Sequence, residues 1–263
     1  MDKPNYEEMA GLIREDLRLK TLPIAVKFTN TDESFPEKTK RPSVALKKRV
    51  TICQAVTMAR VYGWTVGLTR EDLICVPAML AFGFTDAFDS GGTLGNLFCE
   101  VEFCKEKEKA AQEVQSMHRL ENFRDRALIL APLAKTRFEP DCVAIYGNPA
   151  QITRMVQAVV FEEGARIQGN FGGKVECTEY LIAPFLTKKP RIAMPGMGDR
   201  IFSMTQDDEM VLSLPKESLM SLYTGLSKAG KKIGARYPVT FYQNFQPEFP
   251  APYQKLAKEL ELF

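Results

Sequence analysis

Two stretches of this 263-residue chain match each other, and the match constrains the fold more than any other feature. They are "CQAVTMARVYGWTVGLTREDLICVPAMLAFGF" and "VQAVVFEEGARIQGNFGGKVECTEYLIAPFL". Gln54-Ala55-Val56 aligns with Gln157-Ala158-Val159. Cys75 follows Gln54 by 21 positions, and Cys177 follows Gln157 by 20. Each triplet falls on an expected helix that ends near glycine, and each cysteine opens an apolar run. One reading is a duplicated helix–loop–helix unit, with halves at about 23–130 and 131–235 related by a pseudo-twofold axis. The other is coincidence, because the triplet is made of three common residues. Under duplication Cys75 and Cys177 are symmetry mates, and ligands commonly bind between repeated halves.

The remaining pattern predicts an α/β or α+β fold, with a mixed sheet and helices. "NYEEMAGLIREDLRLK" reads as a helix capped by Asn5, with Met9, Leu12, Ile13 and Leu17 on one face. "PIAVKF", "ALILAPLA", "DCVAIYG", "PRIAMPG" and "EMVLSLP" read as strands. "LFCEVEF" alternates, with Glu100 and Glu102 on one face, and predicts a half-exposed strand. "VTICQAVTMARVYG", "KEKEKAAQEVQSMHRLENF", "NPAQITRMVQAVVFEEG" and "PKESLMSLYTGLSKAGKKIG" read as helices; in the third, Asn148 caps, Pro149 opens and Gly164 closes. "DSGGTLGN" reads as a glycine-rich turn. No linker divides the chain, so residues 1–263 are expected to form one domain, with a tail from 236 to 263. The aromatic tail "FYQNFQPEFPAPY" either wraps that domain or provides a homodimer contact.

Composition narrows the function classes. The net charge of +2 is too small to make nucleic acid the main partner. No apolar run reaches the ~20 residues that span a bilayer. The acidic "MDKPNYEEMAGLIREDL" lacks the apolar stretch of a secretory signal, so a cytoplasmic location is expected. Six cysteines in a chain of this length are too few for a disulfide scaffold, which leaves packing, metal or redox chemistry for the thiols.

"TICQAVTMARVYG", "EDLICVPAMLAFGF", "GNPAQITRMVQAVVFEEG" and "KPRIAMPGMGDRIFSMTQDDEMVLSLP" resemble domain-of-unknown-function family 169, over residues from about 8 to 235. The resemblance implies a protein of anaerobic or archaeal metabolism and carries no activity with it. It implies cysteines at the places of Cys53, Cys75 and Cys177. It also implies a fourth near "PGMGDR", where this chain has Met194 and Met197, a departure that puts a four-cysteine site in doubt.

The residues themselves limit the chemistry. His118 is the sole histidine and sits among charges on an expected surface helix, where a solvated role is the plain reading. That excludes a histidine-rich zinc site and leaves little scope for a Ser-His-Asp triad. Thiolates are therefore the candidate ligands. A cysteine at a helix start has a lowered pKa, because free N–H groups stabilise the anion, and Cys75 and Cys177 both precede apolar helical runs. With Cys53, three converging thiolates suit an iron–sulfur cluster, or zinc as the lesser case. The alternative is that all three are small buried hydrophobes. Cys99 and Cys104 are four residues apart without the following C-x₂-C of a plant-type ferredoxin, and Cys142 is expected to pack in a strand.

The loop "GNFGGK" offers Gly169, Gly172 and Gly173 amides with Lys174 beside them, a set that suits phosphate or carboxylate or else a plain turn. It lacks P-loop and dinucleotide-fingerprint spacing. Arg200 in "PGMGDR" either clamps an anion or pairs with Asp199. The expected function is a thiolate-ligated iron–sulfur or metal protein with redox or reductive chemistry on a small anionic substrate, and the expected partner is a small anionic ligand or an electron-transfer protein. The alternative is a non-catalytic small-ligand module with structural cysteines.

Overall fold

The computed structural model describes residues 5–30, 35–85, 92–120, 126–239 and 249–262. In chain order the elements are α1 (Tyr6–Leu17), β1 (Ile24–Thr29), α2 (Pro42–Ala45), α3 (Ile52–Arg60), β2 (Val66–Leu68) and α4 (Val76–Ala81). Next come α5 (Gly92–Glu100), α6 (Lys107–Ser116), β3 (Ala127–Pro132), β4 (Cys142–Gly147) and α7 (Pro149–Glu163). After a single π-turn at Thr178–Ile182 follow α8 (Ala183–Thr187), β5 (Arg191–Ala193), α9 (Met197–Phe202), β6 (Met210–Pro215), α10 (Lys216–Lys228) and α11 (Ala251–Glu259).

The six strands form one sheet in the order β2-β3-β1-β4-β6-β5. Every neighbouring pair is antiparallel, so the expected mixed sheet is corrected to an antiparallel one. At the centre, β1 lies against β4 with Ile24 opposite Ala144 and Val26 opposite Cys142. Strands β3 and β4 are buried at every position, which is why they read as continuous apolar runs. The pleat divides β4 between two cores. Cys142, Ala144 and Tyr146 join α3, α4 and the π-turn on one face, while Val143 and Ile145 join α1, α7 and α10 on the other. Among the described residues no helix is long and apolar enough to cross a membrane.

The helices start where the caps put them. Asn5 accepts the Glu7 and Glu8 amides. Thr51 with Gln54, and Asn148 with Gln151, close reciprocal capping boxes on α3 and α7. "LFCEVEF" is not a strand. Its first four residues finish α5, because Leu94 and Phe98, one helical turn apart, pack on Ala110 and Val114 of α6. Of the turn expected at "DSGGTLGN", residues 92–96 instead open α5, and the rest lies outside the described residues, as does 240–248 of the aromatic tail.

The matched segments are not structural equivalents. Ile52, Ala55, Val56 and Ala59 of α3 pack on one face of the sheet; Ile152, Met155, Ala158 and Val159 of α7 pack on the other. After α3 the chain forms edge strand β2 before it reaches Cys75. After α7 it reaches Cys177 first and forms edge strand β5 later. The shared triplet therefore marks two helices with the same amphipathic requirement, in different places.

Helices α7 and α10 meet so closely that a β-carbon on Gly225 would lie 2.1 Å from the Ala158 carbonyl oxygen. Gly225→Ala is expected to destabilise the protein by about 3 kcal/mol, since backbone rather than a side-chain tip must move. Gly11, inside α1 with nothing within 4 Å, behaves oppositely. Gly11→Ala is expected to add about 0.5–1 kcal/mol. Denaturant midpoints check both.

Candidate functional site

Four turns bring polar groups to the α3 face of the sheet. Cys53 lies in the first turn of α3, its position set by the Thr51–Gln54 capping box. Its Sγ is 2.9 Å from Thr51 Oγ1 and donates to the Gly198 carbonyl at 3.5 Å. Cys75 is the N-cap of α4 and is half-buried in the same core, which also holds Cys177. Cys177 precedes the π-turn and donates weakly to the Val175 carbonyl at 3.8 Å. The fourth group is Asp199 of α9, 4% exposed. Its Oδ2 accepts the Gly196 amide at 3.1 Å and its Oδ1 accepts the Tyr180 hydroxyl at 2.7 Å.

These groups feel one another. Burial pushes the Cys53 thiol up to about 11, with the Asp199 carboxylate adding to it. Burial is also the largest cause at Cys177, followed by Asp199, Cys75 and Cys53. At Cys75 the Ala78 amide favours the thiolate, as a helix start should, but burial outweighs it and the pKa rises. The expectation of lowered thiol pKa values is thus corrected, because desolvation exceeds the effect of one turn of amides. Asp199 is itself raised, by burial first, although Arg60 and Arg200 favour its charge. Among the described residues no three Cys, His, Asp or Glu groups stand in a metal-holding arrangement.

The other cysteines lie elsewhere. Cys142 is fully buried in β4 and faces the Leu181 carbonyl at 3.7 Å. Cys99 and Cys104 border the α5–α6 core, where Cys104 donates to Glu113 Oε2 at 2.9 Å.

The glycine loop is engaged by the protein's own carboxylates. The Gly172 and Gly173 amides both donate to Glu176 Oε1 at 2.6 Å. Lys174 pairs with Glu113, its Nζ 4.8 Å from the Phe98 ring centroid. An external anion would have to displace both. Gly169 has a conformational role: a β-carbon there would lie 2.4 Å from the Ile192 carbonyl oxygen, where residue 168 bridges to β5. Gly173 supplies the left-handed φ of +73°. Arg200 does not join the loop; its Nη1 donates to the Gln206 carbonyl at 2.7 Å. Gly172, Lys174 and Glu176 line a cavity of about 40 Å³, and Cys177 is not part of its lining. The loop and the thiol therefore serve different spaces, although they are neighbours in sequence.

Three acids escaped the sequence reading. Asp199 lay hidden as a partner for Arg200. Glu176 and Glu179 flank Cys177 inside an apolar run, which was the available signal for burial. His118 is not simply solvated, because its Nδ1 lies 3.0 Å from Glu179 Oε2. Burial pushes Glu176 up to about 7 against the two amides that favour its charge. A carboxyl raised in the folded state stabilises fully below its ordinary pKa near 4.5, and that contribution is lost as pH rises through about 7. Relative to Glu176→Gln, wild-type stability should fall by about 3 kcal/mol between those pH values, at about 1.4 kcal/mol per unit. Denaturant titrations of both proteins across that window check it; parallel curves would contradict the assignment.

Comparison with known proteins gives a family and no activity. Residues 12–225 match the family DUF169, described as uncharacterised ArCR. The chain is 26% identical over 223 residues to the uncharacterized protein MJ0308 of Methanocaldococcus jannaschii, covering 84% of this chain and 94% of that protein. No solved structure matches. The family match spans the sheet, the thiols and the glycine loop, and on it the chain belongs to the DUF169 family.

Proposed function

We propose that this protein is a thiolate-based metal protein, with an iron–sulfur cluster as the first candidate and zinc as the second. Cys53, Cys75 and Cys177 are its sulfur donors, and Asp199 is an oxygen donor. What supports this reading is that Cys75 and Cys177 pack in one core, that Cys53 Sγ reaches the Gly198 carbonyl next to Asp199, and that Asp199, Cys75 and Cys53 all act on the Cys177 thiol. Titratable groups with strongly shifted pKa values cluster where chemistry needs them. Soft thiolates select zinc or iron–sulfur clusters over hard cations. A cluster would supply one-electron chemistry at this place. The anionic substrate is not part of the proposal, because Glu113 and Glu176 engage the donors expected to bind it.

We also infer that the halves are related through the sheet alone. Strands β1, β3 and β2 occupy one side in that order, and β4, β6 and β5 repeat the order outward on the other. On this correspondence β2 answers to β5. The helix start at Cys75 then answers to the one at Gly196, which brings in Asp199.

A second reading has its own support. Each thiol already has a polar neighbour within the protein, as a packing cysteine would. Analysis of anaerobically purified protein separates the two. The metal reading expects iron with sulfide, or zinc, in fixed ratio to protein, lost in Cys177→Ser and Cys75→Ser and kept in Cys99→Ser. Metal-free protein, in which Cys177→Ser only lowers the melting temperature, would establish the packing reading.

A further inference from the structure

The donors of the glycine loop are taken by Glu113 and Glu176, but a set of open donors lies elsewhere. Where β2 begins and β3 ends, three turns surround an open cavity of about 450 Å³. That volume falls within the roughly 300–1,000 Å³ of small-molecule sites. The loop before α2 gives it Glu37 and Lys38, the turn between α3 and β2 gives Thr65, and the turn after β3 gives Lys135, Thr136 and Arg137. Among the described residues Lys38, Lys135 and Arg137 make no ion pair with Glu37 or any other carboxylate. The acids that follow in the chain are committed to other cations: Glu139 accepts Lys216 Nζ at 2.9 Å, and Asp141 accepts Lys27 Nζ at 3.0 Å.

Local structure holds these cations in place. Lys38 has a left-handed φ of +67°, uncommon for a residue other than glycine. It sits in a turn where the Thr39 amide and hydroxyl both donate to the Pro36 carbonyl, at 3.1 and 2.6 Å. Lys135 Nζ lies over the turn between α3 and β2, 3.5 Å from where a β-carbon on Gly63 would stand. Lys40 adds to the positive field beside the cavity: its amide donates to the Thr65 carbonyl at 2.8 Å, and its ammonium is 3.7 Å from the Trp64 ring centroid. The Thr136 hydroxyl donates to the Phe138 carbonyl at 3.3 Å, whereas the Thr65 hydroxyl has no partner among the described residues. Lys38, Lys135 and Arg137 less Glu37 leave two positive charges on the wall. A phosphate monoester carries about −1.5 to −2 at neutral pH and matches that wall. Cations on separate turns suit a tetrahedral anion, whose oxygens point several ways, better than a planar carboxylate. Arg137 offers a fork of donors for it, and the lysines offer point charges.

We propose that this cavity binds the phosphate group of a small phosphate ester, with Lys38, Thr65, Lys135 and Arg137 as its donors. The site is separate from the thiols, so its test needs no metal. Isothermal titration of the full chain at physiological ionic strength, with glycerol 3-phosphate, inorganic phosphate and succinate, provides that test. Both phosphates should bind saturably at a single site, and succinate, a planar-ended dianion, should bind about tenfold more weakly or not at all. Lys135 and Arg137 are exposed, so Lys135→Gln and Arg137→Gln leave the fold intact. Each should weaken phosphate binding about tenfold, the loss of one charge-assisted contact. Lys47→Gln, at an exposed cation outside the cavity, should leave binding unchanged. Sedimentation with phosphatidylcholine vesicles that contain phosphatidic acid separates two sources of the group. Cosedimentation lost in the same two variants assigns a lipid headgroup, and no cosedimentation assigns a soluble ester. Absence of saturable phosphate binding, equal affinity for succinate, or binding unchanged in both cavity variants would overturn the proposal.

Discussion

A sheet buried on both faces leaves no strand surface for polar chemistry, and the rest of this protein follows from that constraint. Strands β3 and β4 have no exposed residue, and helices or turns cover both sides. Titratable groups must then enter the interior from the ends of helices, where unpaired amides and short side chains can hold them. Cys53 arrives beside the α3 cap, Cys75 as the α4 cap, Asp199 in the first turn of α9, and Cys177 at the π-turn. All four reach the same face, where Tyr146 of β4 and Tyr180 meet edge to face at 6.0 Å. Single π-turns within helices are frequent at functional sites.

The polar interior is graded. Arg60 and Glu209 form a buried pair with contacts of 2.8 and 3.1 Å, and Arg60 also lies over the Tyr146 ring. That pair is internally compensated. Asp199 has two hydrogen-bond donors, and Arg60 and Arg200 favour its charge without outweighing burial. The three cysteines are held as neutral thiols by burial, and a metal ion or cluster there would favour thiolate over thiol.

The sequence made the elements legible where local rules decide them. Asn5 and Asn148 cap the helices they were expected to cap, and the strand runs lie in the sheet. It misled where one pattern serves two structures. "LFCEVEF" alternates, yet Phe98 belongs to a helix because α6 offers it a partner. Gln-Ala-Val recurs on two helices that each pack Ala and Val against the sheet, and nothing local reveals that they use opposite faces. Within the candidate site the cysteines were readable and the carboxylates were not. Burial of Asp199 depends on Tyr180, and the capture of the Gly172 and Gly173 amides depends on how Glu176 turns back. Both are tertiary contacts that no spacing rule encodes.

The central claim is that Cys53, Cys75, Cys177 and Asp199 hold a metal. X-ray absorption at the metal edge of the anaerobically prepared protein tests it most directly. The account predicts a first shell dominated by sulfur at about 2.3 Å, the distance known for zinc–thiolate bonds, with one shorter oxygen contact that Asp199→Asn perturbs. A shell of nitrogen and oxygen alone, or a sulfur shell unchanged by Cys53→Ser, Cys75→Ser and Cys177→Ser, would contradict it.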